Sequence, residues 1–598
     1  MIIRNMTRFK VALISSGLGA AMLAVTLGGS GNAAAQPNLS PAIEAKVDAL
    51  LAQMTLEEKI GQMVQADLLA LPDNSDITKY GLGSVLSGGG SDPKAGNSPQ
   101  AWLDTVTACK EAALKTRLKI PLLYGVDAVH GHNNILGAVI FPHHIGLGAT
   151  RDPDLIRRAE RVTAEEVAGT GINWAFAPCI AVAQDARWGR TYESFSDDPQ
   201  IVSDLGAAAV AGFQGAQLSA APTSVLASLK HYVGDGGTEN GKDQGNMVCD
   251  EATLRKIHLF PYIAGVKAGA GSVMVSYSSW NGKKMSGNKY LLTDVLKGEL
   301  GFQGFLISDW AAIDQLAKNY KEAVEQSINA GLDMIMIPNG PDKANNYVEF
   351  IGDLKALVAE GKVPPSRIDD AVRRILRVKF QMGLFDRPTA TDPKLTAAIG
   401  SPAHRAVARE CVRKSLVLLK NQNHTLPLAK NIKHLAVVGS GADDLGMQCG
   451  GWTIDWQGGL GAITPGGTTL LAAIKQAVSP ETQVTFTATG NNLQDADAVI
   501  VVIGEDPYAE MKGDRKDLNL SAPARALVAK ARAAGKPVIA VLFSGRPLVL
   551  GSALADSDAL VAAWLPGSEG QGITDVLFGD YPFTGQLARH WPGFDAAK

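Results

Sequence analysis

Between Ser40 and about Leu384, short apolar runs alternate with longer segments in which apolar residues recur at helical spacing. The runs are Leu82–Leu86, Leu122–Val126, His144–Leu147, Asn173–Ala177, Val225–Leu229, Val273–Ser276, Gly304–Ser308 and Asp333–Ile337. Each has the length of a strand buried on both faces, while Leu155–Gly169 and Tyr320–Ala330 read as helices between them. Eight such units in about 350 residues predict an α/β fold, a (β/α)8 TIM-like barrel over 36–385. Asp386-Arg387-Pro388 through Pro402 is polar and broken by proline, which predicts a linker over 386–405. A second alternation follows, with apolar runs Leu435–Gly439, Gln483–Thr487, Ala498–Ile503, Pro537–Phe543 and Leu560–Leu565. It predicts an open α/β sandwich domain with a mostly parallel sheet over 406–598.

The first 35 residues stand apart. Arg4, Arg8 and Lys10 precede the uncharged apolar run Val11–Leu27, and Ala33-Ala34-Ala35 offers a small-residue cleavage site. That order predicts a secretory signal peptide over 1–35 and a periplasmic or secreted protein, with no membrane association after cleavage. Loss of the three basic residues takes the formal charge from −3 to −6. A mildly acidic surface disfavours nucleic acid and anionic membranes and suits a neutral substrate. With 46% hydrophobic and 19% charged residues the remainder is globular. Five widely spaced cysteines, Cys109, Cys179, Cys249, Cys411 and Cys449, are an odd number with no CxxC pair, so they are read as buried small residues rather than a disulfide scaffold.

Catalytic groups of a parallel barrel stand at the C-terminal ends of its strands. Here the second predicted strand runs into Asp127. The fourth leads to DARWGRTYESFS with Arg187 and Arg190, the fifth to Lys230-His231, the sixth to Tyr277 and the seventh to Asp309-Trp310. Charged side chains bind vicinal hydroxyls strongly and an indole covers the apolar face of a pyranose, so the set fits a sugar. Asp309, at the end of GFLIS, is placed to be a nucleophile, with Lys230 and Arg190 expected to favour its ionised form. Glycoside cleavage needs a second carboxyl. Glu193 lies in the arginine-rich loop, and the second domain supplies GEDPYAEMKGD with Glu505, Asp506, Glu510 and Asp514 after a buried strand. Trp452 and Trp456, in the glycine-rich CGGWTIDWQGG, read as a sugar platform or as interface aromatics.

The segments GVDAVHG, APCIAVAQDARWGRTYESFSDDP, LKHYVGDGGTENGKD, VSYSSWNG, GFLISDW, GGWTIDWQG and GEDPYAEMKGD, in this order from Ser40 to about Trp591, resemble glycoside hydrolase family 3. They are most similar to its two-domain exo-β-glucanases and β-glucosidases. The resemblance implies a retaining exo-hydrolase that releases glucose from the non-reducing end of β-glucans or β-glucosides, without cofactor or metal. Asp309 would be nucleophile and Glu510 acid/base. Asp127, Arg190, Lys230, His231 and Tyr277 would surround the terminal glucose, and Trp310 and Trp452 would clamp the next sugar with help from Trp456. Glu505 is the rival for the acid role, since only the motif selects Glu510. Thr191 stands where plant relatives carry a cysteine. The chain ends soon after ARHWPGFDAAK, where relatives continue, so the second domain is expected to lack a last packing segment.

Two alternatives differ in their signatures. A β-N-acetylglucosaminidase of the same family carries a His-Asp dyad after the KH motif, whereas VGDGGTENGKDQGN has Asp235 and Asp243 but no further histidine. A periplasmic sugar-binding receptor needs no opposed carboxyls. His130/His132 and His143/His144 lack the i, i+4 spacing of a helical zinc site and read as packing histidines. GGGS at Gly88–Ser91 lacks the Lys-Ser/Thr of a phosphate loop and reads as a turn after a strand.

Overall fold

A computed structural model describes residues 40–387 and 389–593. The predicted signal segment lies outside them. Eight parallel strands form the first sheet: β1 Val64–Asp67, β2 Ser84–Ser87, β3 Leu123–Val126, β4 Trp174–Ala175, β5 Leu226–Tyr232, β6 Ser272–Val275, β7 Phe305–Ile307 and β8 Ile335–Ile337. Their order is β7-β6-β5-β4-β3-β2-β1-β8, and a parallel bridge from Ile307 to Met334 links its two ends, so the sheet closes into the predicted barrel. Nearly all strand residues are fully buried, which is why they read as unbroken apolar runs.

One predicted barrel element differs, and one strand was not predicted. His144–Leu147 is the start of a helix, His144–Thr150, not a strand. It is short, buried on every side and contains Gly146 and Gly148, and a run of that kind carries no periodicity to tell strand from helix. A Cβ at Gly148 would meet the Phe195 carbonyl oxygen at 1.8 Å, so the helix lies flat on the neighbouring loop. The missing strand is β1, whose polar Gln65 and Asp67 hide it. Gln65 donates to Ser84 Oγ at 2.8 Å, and Asp67 accepts the Leu69 N–H at 2.8 Å. Asp127 therefore follows the third strand rather than the second.

The second sheet comprises β9 Val417–Asn421, β10 His434–Val438, β11 Gln483–Thr487, β12 Ala498–Gly504, β13 Val538–Phe543 and β14 Ala559–Trp564, in the order β9-β14-β13-β12-β10-β11. All pairs are parallel except β9 with β14, an edge strand the apolar pattern did not predict. The polar segment between the sheets holds a short helix, Pro393–Ala398, and leads into helix Pro402–Ser415. Among the described residues no helix is long and apolar enough to cross a membrane. All five cysteines are free, four of them buried.

Candidate active site

A cavity of about 370 Å³ opens at the C-terminal ends of the barrel strands, and the second domain forms one of its walls. All ten residues expected there line it: Asp127, Arg190, Lys230, His231, Tyr277, Asp309 and Trp310 from the barrel, and Trp452, Trp456 and Glu510 from the second domain. Its floor includes the barrel residues Phe176, Met274 and Met336. Lys230 and His231 are only 1% and 3% exposed, whereas Trp310 and Met511 at the rim are 39% and 40% exposed.

Asp309 is carried by β7, whose three residues are all 0% exposed; each such side chain contributes roughly 1.5–3 kcal/mol by burial and so fixes the strand end. Its Oδ1 accepts the Trp310 N–H at 2.7 Å, while Oδ2 has no hydrogen-bond partner and lies 3.7 Å from His231 Nε2. His231 Nδ1 is 2.8 Å from Asp235 Oδ2, which orients the ring. Lys230 Nζ donates to Asp127 Oδ1 at 3.1 Å and lies 5.8 Å from the Trp452 ring centre. The Tyr277 hydroxyl donates to the Trp310 carbonyl. Burial pushes the Asp309 carboxyl up to about 6. Arg190, the Trp310 N–H and Lys230 oppose this, so the two cations do favour the ionised form as expected, but desolvation outweighs them.

Glu510 reaches the cavity differently. It lies six residues beyond β12, on the turn Glu510–Gly513, with φ +54°, a left-handed conformation unusual for glutamate. Its Oε1 accepts from Arg190 Nη1 at 3.0 Å. Burial pushes its carboxyl up to about 8; Arg190 opposes, and Asp243, Asp309 and Glu193 add to the rise. The loop is clasped to the barrel by backbone contacts. Asp514 accepts N–H groups from Gly189 and Asp243, each at 2.8 Å, and Arg546 donates to the Ala186 and Arg187 carbonyls at 3.0 and 3.2 Å. Gly189 permits this approach, since a Cβ there would meet the Glu510 carbonyl oxygen at 1.8 Å. Trp452 is also left-handed, φ +58°, and its loop is held by His130 Nε2, 3.1 Å from the Trp452 carbonyl, and His143 Nε2, 3.0 Å from that of Gly451. Those two rings stack at 3.7 Å, as packing histidines should. Gly88–Ser91 forms the predicted turn, with Gly88 and Gly89 in the cavity wall.

Glu505 is elsewhere. It pairs with Arg515 and Arg546 at 3.2 and 3.3 Å and does not line the cavity. Glu193 is a site residue whose part the sequence left unassigned: it is 2% exposed and holds Arg190 through both oxygens at 2.8 Å. The signal was the Arg-x-x-Glu spacing on a single turn. Gln244 and Met511 also line the cavity, with no signal in the sequence. Among the described residues, Cys179, His231 and Asp235 bring possible metal-ligand atoms within 4.8 Å of one another. The Asp235–His231 bond already occupies one pair of these atoms, and burial raises the Cys179 thiol, which disfavours the thiolate a metal needs.

The chain matches two family models, the Glycosyl hydrolase family 3 N terminal domain over residues 55–378 and the Glycosyl hydrolase family 3 C-terminal domain over 416–596. It is 34% identical to a lysosomal beta glucosidase of Dictyostelium discoideum, over 93% of this chain and 73% of that protein. It is 33% identical to a periplasmic beta-glucosidase of Salmonella typhimurium, over 93% of this chain and 75% of that protein. Among solved structures it superposes on a variant of an exo-1,3/1,4-beta-glucanase from a Pseudoalteromonas species with a TM-score of 0.89 and 42% identity, covering 94% of this chain and 93% of the other.

Proposed function

The chain belongs to glycosyl hydrolase family 3, and from that premise we propose that it is a retaining exo-β-glucosidase or exo-β-glucanase with Asp309 as nucleophile and Glu510 as acid/base. Membership makes it a glycoside hydrolase, and the sugar-binding receptor falls away. One observation carries the assignment: two carboxyls in one cavity whose proton affinities are pushed apart, Asp309 to about 6 and Glu510 to about 8. At pH 7 the first is mostly ionised and the second mostly protonated, the states a nucleophile and a proton donor need.

In the first step Asp309 Oδ2, the oxygen without a hydrogen-bond partner, attacks the anomeric carbon while Glu510 gives its proton to the glycosidic oxygen. The aglycone leaves and a glycosyl ester forms. Glu510, now a carboxylate, takes a proton from water, which attacks the same carbon, frees Asp309 and restores the β configuration. Arg190 stabilises Glu510 in this second state. The buried polar set Asp127, Lys230 and His231 suits the hydroxyls of a terminal glucose, and the exposed Trp310 with Met511 suits the leaving unit, which favours exo action on β-glucosides and β-glucan oligosaccharides. The basic-apolar N-terminus and the periplasmic relative favour export.

Proton NMR of the first-formed sugar is expected to show β-glucose from a β-glucoside. Glu510→Ala is expected to keep glycosylation by 2,4-dinitrophenyl β-glucoside, whose leaving group departs unprotonated, and to yield β-glucosyl azide when azide is added. Initial α-glucose, or azide rescue in Glu505→Ala but not in Glu510→Ala, would refute the assignment.

A further inference from the structure

We propose that Glu193 is a positioning residue that ties the proton donor and the sugar-stacking indole of the second domain to one barrel carboxylate. The inference rests on the reading of Glu510 as acid/base. Glu193 Oε1 accepts from Arg190 Nε at 2.8 Å and from Trp452 Nε1 at 3.3 Å, and Oε2 accepts from Arg190 Nη2 at 2.8 Å. The two parallel bonds fix the plane of the guanidinium. That plane aims the remaining Nη1 at Glu510, 3.0 Å away. Glu510 and Trp452 come from separate loops of the second domain, about 60 residues apart in sequence, yet both are located by this one side chain. Arg190 and Glu193 share a single short turn of the barrel, so the reference point is itself compact.

The arrangement also sets charge. Glu510 faces Arg190 and Glu193 from the loop after β4, Asp243 after β5, Tyr277 after β6 and Asp309 after β7. Arg190 is the one cation among these groups, and Glu193 takes up most of its charge through two bonds. With glutamine at 193 its one oxygen can still accept from Arg190 Nε and Trp452 Nε1, but the amide NH2 cannot accept from Arg190 Nη2, and the guanidinium is left with Glu510 as its only charged hydrogen-bond partner. The carboxylate of Glu510 gains, and its proton leaves at lower pH. A side chain that serves only to fill space would move no titration.

Three variants test this on laminaribiose and 2,4-dinitrophenyl β-glucoside. In Glu193→Gln the alkaline limb of kcat/KM on laminaribiose is expected to move down by about one pH unit, the scale of one lost neighbouring charge. In Glu193→Asp the charge remains and the limb is expected to stay within a few tenths of a unit. The shorter carboxylate cannot reach both partners, so KM for laminaribiose rises several-fold. A parental limb in folded Glu193→Gln overturns the proposal, as does an equal shift in both variants. Should Glu193→Gln fail to fold, Glu193→Asp decides alone, and a parental KM with a parental kcat overturns it. Glu510→Ala with azide, run alongside, separates the two claims. If azide rescue fails there, the acid/base reading falls and takes this inference with it; if rescue succeeds while Glu193→Gln keeps the parental limb, only this inference falls.

Discussion

Asp309 stands two residues beyond a strand whose Phe305, Leu306 and Ile307 are completely buried, whereas Glu510 stands six residues beyond a strand, on a turn with left-handed backbone. The barrel half of the site is located by strand register: a side chain at a strand end goes where the closed sheet sends it. The second-domain half is located by contacts to the barrel itself. Asp514 reaches the Gly189 and Asp243 amides, Arg546 reaches two carbonyls, and His130 and His143 hold the Trp452 loop. Backbone conformations that cost about 1–3 kcal/mol each, at Glu510 and Trp452, persist because those contacts over-determine them. One fold thus carries a proposed nucleophile held by its own domain and a proposed acid held by the interface. Substitutions should separate the two.

The largest effect is expected on the barrel side. Asp309→Ala removes the proposed nucleophile and should lower kcat on every substrate by a factor on the order of 10⁴ or more, activated aryl glucosides included. Steady-state rates on 2,4-dinitrophenyl β-glucoside check this, and the fold should be intact by thermal unfolding, since the carboxylate is a desolvated group with one hydrogen bond.

Gly189→Ala comes next and tests the interface. The new Cβ would overlap the Glu510 carbonyl oxygen, so the acid loop must move while β7 and Asp309 stay. A displacement near 1 Å costs on the order of 10²-fold in rate. The loss should fall on laminaribiose, whose leaving group needs the proton, and be much smaller for 2,4-dinitrophenyl β-glucoside. Equal losses on both would mean that the contact does not serve the acid.

The pH profile reads both halves at once. In the proposed mechanism Asp309 acts ionised and Glu510 protonated, and burial raises the first to about 6 and the second to about 8. Activity is therefore lost as pH falls below about 6, when Asp309 takes a proton, and as pH rises above about 8, when Glu510 loses one. About one unit outside either limb kcat/KM should be roughly tenfold down. The alkaline limb should appear on laminaribiose and be absent from kcat/KM on 2,4-dinitrophenyl β-glucoside, whose leaving group needs no proton, while the acid limb appears on both; an equal alkaline limb on both substrates would assign it to another group.

How much of this could be read from the chain follows the same division. Buried strands need unbroken apolar runs, so seven of the eight barrel strands, and with them Asp127, Arg190, Lys230, His231, Tyr277 and Asp309 at or after their ends, were legible. The strand Val64–Asp67 was not, because Gln65 and Asp67 meet their partners inside the protein and look polar in sequence. His144–Leu147 misled because four buried residues with a glycine suit helix and strand alike. In the second domain the sequence left Glu505 and Glu510 undecided without the family motif. What separates them is Arg515 and Arg546 beside the one and Arg190, 320 residues away, beside the other. Glu193 was obscure for the same reason, since its part depends on an indole 259 residues on.

The smallest expected effect sharpens the comparison most, because each half supplies one indole. Trp310, from the barrel, is 39% exposed and its carbonyl accepts the Tyr277 hydroxyl; Trp452, from the second domain, is 7% exposed and donates to Glu193. If both stack on the sugar beyond the terminal glucose, each contact is worth roughly 0.5–1.5 kcal/mol, or about 2- to 10-fold in KM. Trp310→Ala should raise KM for laminaribiose by that factor, spare 4-nitrophenyl β-glucoside, and leave the unfolding midpoint unchanged, since an exposed ring leaves no cavity. Trp452→Ala should raise the same KM and also lower the midpoint by several degrees, because it empties a buried site at the interface and strips Glu193 of a donor. The discriminating measurement is the pair of KM ratios beside the pair of midpoints. Should Trp310→Ala cost as much stability as Trp452→Ala, the barrel rim would depend on packing across the site just as the second domain does, and the division between register-held and interface-held residues would not extend to the sugar clamp.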